Sequence, residues 1–372
     1  MTDFIPPAKP IIGDEERAAV DRVLRSGMVA QGPEVAAFEE EFARELVQGR
    51  DCVAVNSGTS GLHLGLLAAG IGPGDEVIVP AFTFAATGNS VALTGATPVF
   101  ADIDPETYTL DPAHVESLVG ARTKAIMPVH LYGHPARMDE LAAIAQKHSL
   151  LVFEDAAQAH GAKLGGRSVG TFGTFAMFSL YPTKNMTSGE GGMVSVDSEE
   201  MRRRMRLLRN QGMETQYQNE LIGFNNRMTD IHAAIGRVQL TKVAGWTAQR
   251  QANAAFLDAN LQHVRTPVVL DGAEHVYHQY TVALPEALAP ARASILARLK
   301  DEFGIGTGVY YPVPTNELPS FARTGGDSAV DLPNTRAATA SVFSLPVHPS
   351  LSPADLERIV EAVNTVTAEA GA

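Results

Sequence analysis

Only one cysteine, Cys52, stands in the 372 residues, so no disulfide can form within the chain. A thiol without a partner fits a reducing compartment. Long apolar runs are missing too. No stretch reaches the roughly 18 residues that a membrane-crossing helix needs. The opening residues, Met1-Thr2-Asp3-Phe4-Ile5-Pro6-Pro7, set an acid and two prolines where a secretory leader needs a basic and then an apolar run. The expectation is a cytoplasmic protein with no membrane partner. Positive charge is short as well: 29 Lys and Arg face 42 Asp and Glu, for a formal net charge of −13. Such a surface repels phosphate backbones, which argues against nucleic acid as a partner. The one basic run, Met201-Arg202-Arg203-Arg204-Met205-Arg206, follows acids and reads as the solvated face of a helix.

What is present is ordinary material for a packed core, 45% hydrophobic and 19% charged. The length suggests two domains. No internal repeat or low-complexity tract interrupts the chain. Over the first two thirds, helix and strand patterns alternate. Val35, Phe38, Phe42 and Leu46 recur at helical spacing, and 60–70 and 138–148 also read as helices. Strands are expected at 52–55, 76–79, 97–101, 124–130, 150–153, 175–180 and 193–196. This order predicts an α/β fold with a mostly parallel sheet flanked by helices, whose ligands bind beyond the carboxyl ends of the strands. A helix at 231–240 follows, and another at 249–261. The pattern then changes to a strand at 277–284, a helix at 291–303, a short strand at 343–346 and a last helix at 355–370. The expected division is a large domain over 1–245 and a smaller α+β C-terminal domain over 246–372.

Three loops after strands, and one segment that leads into a helix, carry residues suited to chemistry. Asn56-Ser57-Gly58-Thr59-Ser60-Gly61 opens a helix with small and hydroxylic residues, which suits a phosphate at a helix amino end. The same residues also make a plain capped helix start. Glu154-Asp155-Ala156-Ala157-Gln158 puts a carboxylate at a strand end, where it could hold a proton on a pyridine-type nitrogen. Alone, a helix-capping acid is the simpler reading. Lys184 lies in the glycine-rich loop Tyr181-Pro182-Thr183-Lys184-Asn185 to Gly191-Gly192. A lysine used for Schiff-base chemistry needs its amine uncharged, which burial achieves, although most single lysines are simply exposed. Gly223 to Asp230 leads into a helix with Thr229 or Asp230 as its cap. His275 and His278 are spaced as metal ligands could be, but no further ligand set joins them, and no metal site is expected.

Taken in order and spacing, these segments resemble the DegT/DnrJ/EryC1/StrS sugar aminotransferases, a branch of the fold-type I enzymes that use pyridoxal 5'-phosphate. The resemblance runs from Pro10 to the last helix and is strongest from Phe153 to Arg209. It implies that Lys184 holds the cofactor covalently and that Asp155 pairs with its ring nitrogen. By the same match, Gln158 donates near the phenolic oxygen, Gly58, Thr59 and Ser179 contact the phosphate, and Phe84 stacks on the ring. Asn225 corresponds to an asparagine that reaches the phosphate of a neighbouring subunit, so the resemblance implies a homodimer with shared active sites. The implied partners are an amino-acid donor, L-glutamate, and a nucleotide-linked 3- or 4-keto (deoxy)hexose. Two places depart from the pattern: Asn226, and Thr315-Asn316 where many relatives carry Leu-His after Tyr311-Pro312-Val313-Pro314. Both bear on the sugar rather than the cofactor. A keto-cyclitol aminotransferase, a dehydratase or a regulator of the same family are the alternatives. Relatives that dehydrate carry histidine in place of Lys184, and a regulator would add a nucleic-acid-binding module that this chain has no length for.

Overall fold

Seven strands build the central sheet of the computed structural model, which describes residues 4–322 and 330–371. They are β1 (Cys52–Val55), β2 (Glu76–Pro80), β3 (Thr97–Ala101), β4 (Thr123–Ile126), β5 (Leu151–Asp155), β6 (Phe175–Ser179) and β7 (Gly192–Val196). Their order across the sheet is β1-β7-β6-β5-β4-β2-β3. Neighbours pair in parallel except β7, which runs antiparallel to both β1 and β6. Helices cover both faces, so alternate residues of one strand enter different cores. On β1, Val53 and Val55 pack with Leu62, Leu66 and Phe175, while Cys52 and Ala54 pack with Phe38, Phe42 and Phe178.

The helix that follows β1, Gly58–Ala68 (α1), lies flush on the sheet because two glycines face it. A Cβ on Gly61 would stand 2.8 Å from Met177, and one on Gly65 2.6 Å from the Phe175 ring. These glycines therefore serve close helix–sheet packing. The expected strand over 124–130 ends at Ile126, although Met127, Pro128 and His130 keep single backbone hydrogen bonds to β2 and β5. Pro128 has no N–H with which to continue the ladder. The strand expected from Tyr277 begins at Tyr280, because Tyr277 has a φ of 44°, which a strand cannot hold.

The two helices expected at 231–240 and 249–261 are one helix of 31 residues, Asp230–Asn260 (α2), and residue 245 lies inside it. From its C-terminal half, Ala254 and Leu257 join Tyr280, Val282, Phe343, Leu345, Ile359 and Val363 in a second core around the antiparallel pair Tyr280–Ala283 and Val342–Leu345. Ile5, from the other end of the chain, is buried in this core too. Thr229 caps α2 through its own hydroxyl, whereas Asp230 caps a different helix: its carboxylate accepts the N–H groups of Gly32, Glu34 and Val35 at the start of Pro33–Leu46. The basic run belongs to the helix Glu199–Arg209, and it is less free than a solvated face. Arg206 pairs with Glu39 at 3.0 Å. Arg209, one turn on and buried, donates to Glu39 at 2.5 Å and to the Ala54 carbonyl at 2.6 Å. Those contacts fasten the helix to β1.

Candidate active site

Four strand ends converge on one cavity of ≈370 Å³. β1 leads into Ser57, Gly58 and Thr59; β2 into Thr83 and Phe84; β5 ends at Asp155; β6 ends at Ser179 and opens the loop that bears Lys184. Gly58, Thr59, Phe84, Asp155, Gln158, Ser179 and Lys184 all line it. The eighth residue singled out from the sequence, Asn225, does not. It is exposed and forms an isolated bridge with Asn210.

At the amino end of α1, the Ser57 hydroxyl takes the Ser60 N–H at 3.1 Å and the Ser57 carbonyl takes that of Gly61. Gly58 and Thr59 face the cavity from this turn, with Ser179 beside them: an ideal Cβ on Gly58 would lie 3.2 Å from the Ser179 Cβ. The arrangement suits an anion. Phe84 is 64% exposed on the cavity wall, an aromatic face able to cover a flat ring.

The two acids at the end of β5 have different employments. Glu154 is fully buried and turned away from the cavity. Its oxygens accept the N–H groups of Gly170, Phe172 and Gly173 at 2.7–2.8 Å and lie 3.2 Å from His130 Nε2. Because His130 Nδ1 accepts the Ala136 N–H, the ring proton sits on Nε2 and points at Glu154. Burial raises the proton affinity of Glu154, but these bonds outweigh it and hold the carboxyl below its ordinary value. Asp155 faces the cavity. Burial pushes its carboxyl up, opposed by the Thr87 hydroxyl at 2.8 Å, the Ala157 N–H at 3.1 Å and the nearby Lys184.

Burial lowers the Lys184 amine to about 8, against the pull of Asp155, which favours the charged form. About a tenth is therefore uncharged at pH 7, several hundred-fold more than for an ordinary lysine, which favours a nucleophilic amine. Gln158 is clamped in one orientation: its Oε1 accepts the Tyr132 N–H at 2.7 Å, and its Nε2 donates to the Tyr311 hydroxyl at 2.8 Å. Both tyrosines stand in the left-handed backbone region, with φ of 57° and 60°, where a bulky residue is strained. The strain is held by packing, since both rings contact Phe82.

Several lining residues escape a reading of the sequence. Thr83 lines the cavity in the same segment as Phe84, and Thr87, four positions on and outside the lining, bonds Asp155 behind it; their spacing across a helix start is the only signal the sequence offers. Tyr311 belongs to the Tyr-Pro-Val-Pro motif and Glu190 to a glycine-rich loop, while Tyr310 carries no signal of its own. His278, considered as a metal ligand, lines the cavity near Lys184, whereas His275 is stacked on Tyr277 at 3.9 Å. Among the described residues no group of three or more His, Cys, Asp or Glu is placed to hold a metal ion.

Comparison with known proteins gives the site a context. The DegT/DnrJ/EryC1/StrS aminotransferase family matches residues 10–364. A "Pleiotropic regulatory protein" of Geobacillus stearothermophilus is 42% identical, over 92% of this chain and 92% of that protein. The dTDP-3-amino-3,4,6-trideoxy-alpha-D-glucose transaminase of Streptomyces venezuelae is 41% identical, over 94% of this chain and 91% of its own length. The crystal structure of NtdA from Bacillus subtilis with bound cofactor PMP has a TM-score of 0.89 at 29% identity, covering 99% of this chain and 87% of that one.

The lowered Lys184 amine has a measurable consequence. Only the neutral amine attacks an aldehyde, so apoprotein mixed with pyridoxal phosphate should gain absorbance at a rate that rises about ten-fold per pH unit below the inflection and then levels. The inflection is expected near 8. Asp155→Asn removes the charge that favours the ammonium and should move the inflection down. An inflection near the ordinary lysine value of 10.5 contradicts the burial argument.

Proposed function

The chain belongs to the DegT/DnrJ/EryC1/StrS aminotransferase family and is a pyridoxal-phosphate-dependent enzyme; from that premise we propose that it moves an amino group from L-glutamate to a nucleotide-linked 3- or 4-keto (deoxy)hexose. The observation that carries the reading is the facing of Lys184 and Asp155 across one cavity at the strand ends. The residues suit the cofactor: an acid for a ring nitrogen, an amine for an aldehyde, an aromatic face, and a helix amino end with two hydroxylic residues for a phosphate. The mouth suits a substrate rich in hydroxyls. Tyr181, Thr183, Glu190, Gln279 and Tyr310 offer it hydrogen-bonding groups of both kinds.

When bound, pyridoxal phosphate supplies an aldehyde that joins amines covalently and a ring that accepts electrons. The Asp155 carboxylate holds a proton at the ring nitrogen. Lys184 would hold the cofactor through its Nζ and, as a free amine, would accept the proton leaving the donor's α-carbon. Gln158, its Oε1 held by the Tyr132 N–H, would offer an amide N–H to the cofactor's phenolic oxygen. Gly58, Thr59 and Ser179 would hold the phosphate, and the face of Phe84 would cover the ring. Lys184 then moves protons in the opposite sense as the keto sugar receives the amine.

The functional unit in this reading is a homodimer. Asn225 projects from the surface of its own subunit, next to Asn226, whose carbonyl accepts the Asn56 N–H beside the phosphate-binding turn. A second copy would bring Asn225 to the partner's phosphate, where a short donor fills an open oxygen.

Two measurements test the proposal. The protein aminated with L-glutamate, offered a panel of nucleotide-linked 3- and 4-keto hexoses and keto-cyclitols, should convert a nucleotide-linked sugar to an amino sugar detectable by mass spectrometry. Amination of a cyclitol alone overturns the sugar assignment, and no product from any member overturns the acceptor class. For the dimer, co-expressed and differently tagged Lys184→Ala and Asn225→Ala chains, each inactive alone, should regain roughly a quarter to a half of wild-type activity in the purified mixed species, because one of its sites carries neither change. No recovery in verified mixed dimers counts against shared sites.

A further inference from the structure

Two threonine hydroxyls stand in line behind the carboxylate that faces the cofactor. Thr87 Oγ1 donates to Asp155 Oδ2 at 2.8 Å, and Thr83 Oγ1 lies 3.0 Å from Thr87 Oγ1. Each hydroxyl carries one proton, and an ionised carboxylate carries none. The Thr87 proton therefore points at Asp155, and the proton between the threonines comes from Thr83. The chain has one direction, from Thr83 through Thr87 to Asp155. It is closed off from solvent, with Thr83 at 3%, Thr87 at 0% and Asp155 at 4% exposure. Its far end is anchored: the Thr315 hydroxyl donates to the Thr83 carbonyl at 3.0 Å, and the Thr315 N–H donates to that of Ala81 at 2.8 Å.

We propose that Thr87, backed by Thr83, is a positioning residue that keeps Asp155 ionised and fixes which of its lone pairs meets the ring nitrogen of the cofactor. This rests on the reading of Asp155 given above. Between a buried carboxylate and a ring nitrogen, one proton has two places to reside. A hydrogen bond to the ionised carboxylate favours that form, so the proton stays on the ring, which keeps its positive charge. Without Thr87, only the Ala157 N–H and Lys184 still oppose burial, so the proton shifts toward the carboxyl and the ring accepts electrons less readily. Oδ1 accepts the Ala157 N–H and Oδ2 accepts Thr87, so the carboxylate cannot rotate without breaking both bonds. The same short segment bears Phe84, which ties the ring's stacking surface to the group that orients its acid.

The test uses holoenzyme loaded with cofactor labelled with ¹⁵N in the ring. Thr87→Val, nearly the same shape without the hydroxyl, should lower kcat about ten- to a hundred-fold, the range of one hydrogen bond to a charged group, with KM for the donor within about two-fold. The ring ¹⁵N signal should move toward the unprotonated position, a change that a general loosening of the fold does not produce. Thr87→Ser should bring kcat back to within about three-fold of wild type, since the hydroxyl returns. In an Asp155→Asn background, Thr87→Val should cost less than about two-fold more, as expected when one residue acts through the other. An unmoved ¹⁵N signal, a serine variant as impaired as the valine one, or effects that multiply with Asp155→Asn each overturn the proposal. Wild-type turnover in Asp155→Asn alone instead overturns the underlying reading of Asp155. Should Thr87→Val fail to fold, Thr83→Val carries the same test with a smaller shift in the same direction.

Discussion

Taking a carboxylate and an amine out of water at one place is the constraint on which this site depends. Burial alone would neutralise both, because each charged form loses hydration. Their mutual attraction works the other way and favours both charges. The proposed chemistry needs neither extreme: in it Asp155 stays ionised while the Lys184 amine is free. Hydrogen bonds resolve this asymmetrically. Asp155 receives two fixed donors, from Thr87 and Ala157, whereas the Lys184 amine, held at about 8, is left poised near neutrality.

The surrounding fold supplies those donors at little cost in mobility. β5 ends where Asp155 must stand. The acid before it, Glu154, points the other way and gathers three backbone N–H groups of residues 170–173 and His130, tying the end of β5 to them. On the opposite wall, the strained tyrosines Tyr132 and Tyr311 grip Gln158 from two sides. Holding a tyrosine in the left-handed region costs free energy, which the packing around Phe82 offsets. Such strain, placed at a group that must keep one orientation, is what a preorganised site requires.

Much of this was legible in the sequence, for identifiable reasons. Strands such as 97–101 and 193–196 are short apolar runs between loop residues, and buried parallel sheets impose that pattern. Lys184 and Asp155 stood out as candidates because the loops after strands are where such sheets bind ligands, but each alone had a simpler reading, and their roles came from the resemblance. The continuity of the helix Asp230–Asn260 was less legible. The stretch Lys242 to Gln249 has no clear apolar stripe, so periodicity alone could not show that one helix spans 230–260. Residues that act at a distance in sequence were also hidden. Nothing in Asp230 announces that it caps a helix almost 200 positions earlier, and nothing in Tyr311 announces Gln158. The glycines of α1 invited a phosphate reading, yet Gly61 and Gly65 are spaced to meet Met177 and Phe175. Thr83 and Thr87 look like ordinary helix-start residues until the fold brings Asp155 beside them.

The covalent attachment point tests the account most directly. Borohydride reduction of the cofactor-loaded protein, followed by proteolysis and mass spectrometry, fixes the bond between cofactor and lysine for mapping. The account predicts a single pyridoxyl adduct on Lys184. An adduct on any other lysine, or no adduct while the cofactor is demonstrably bound, would contradict it.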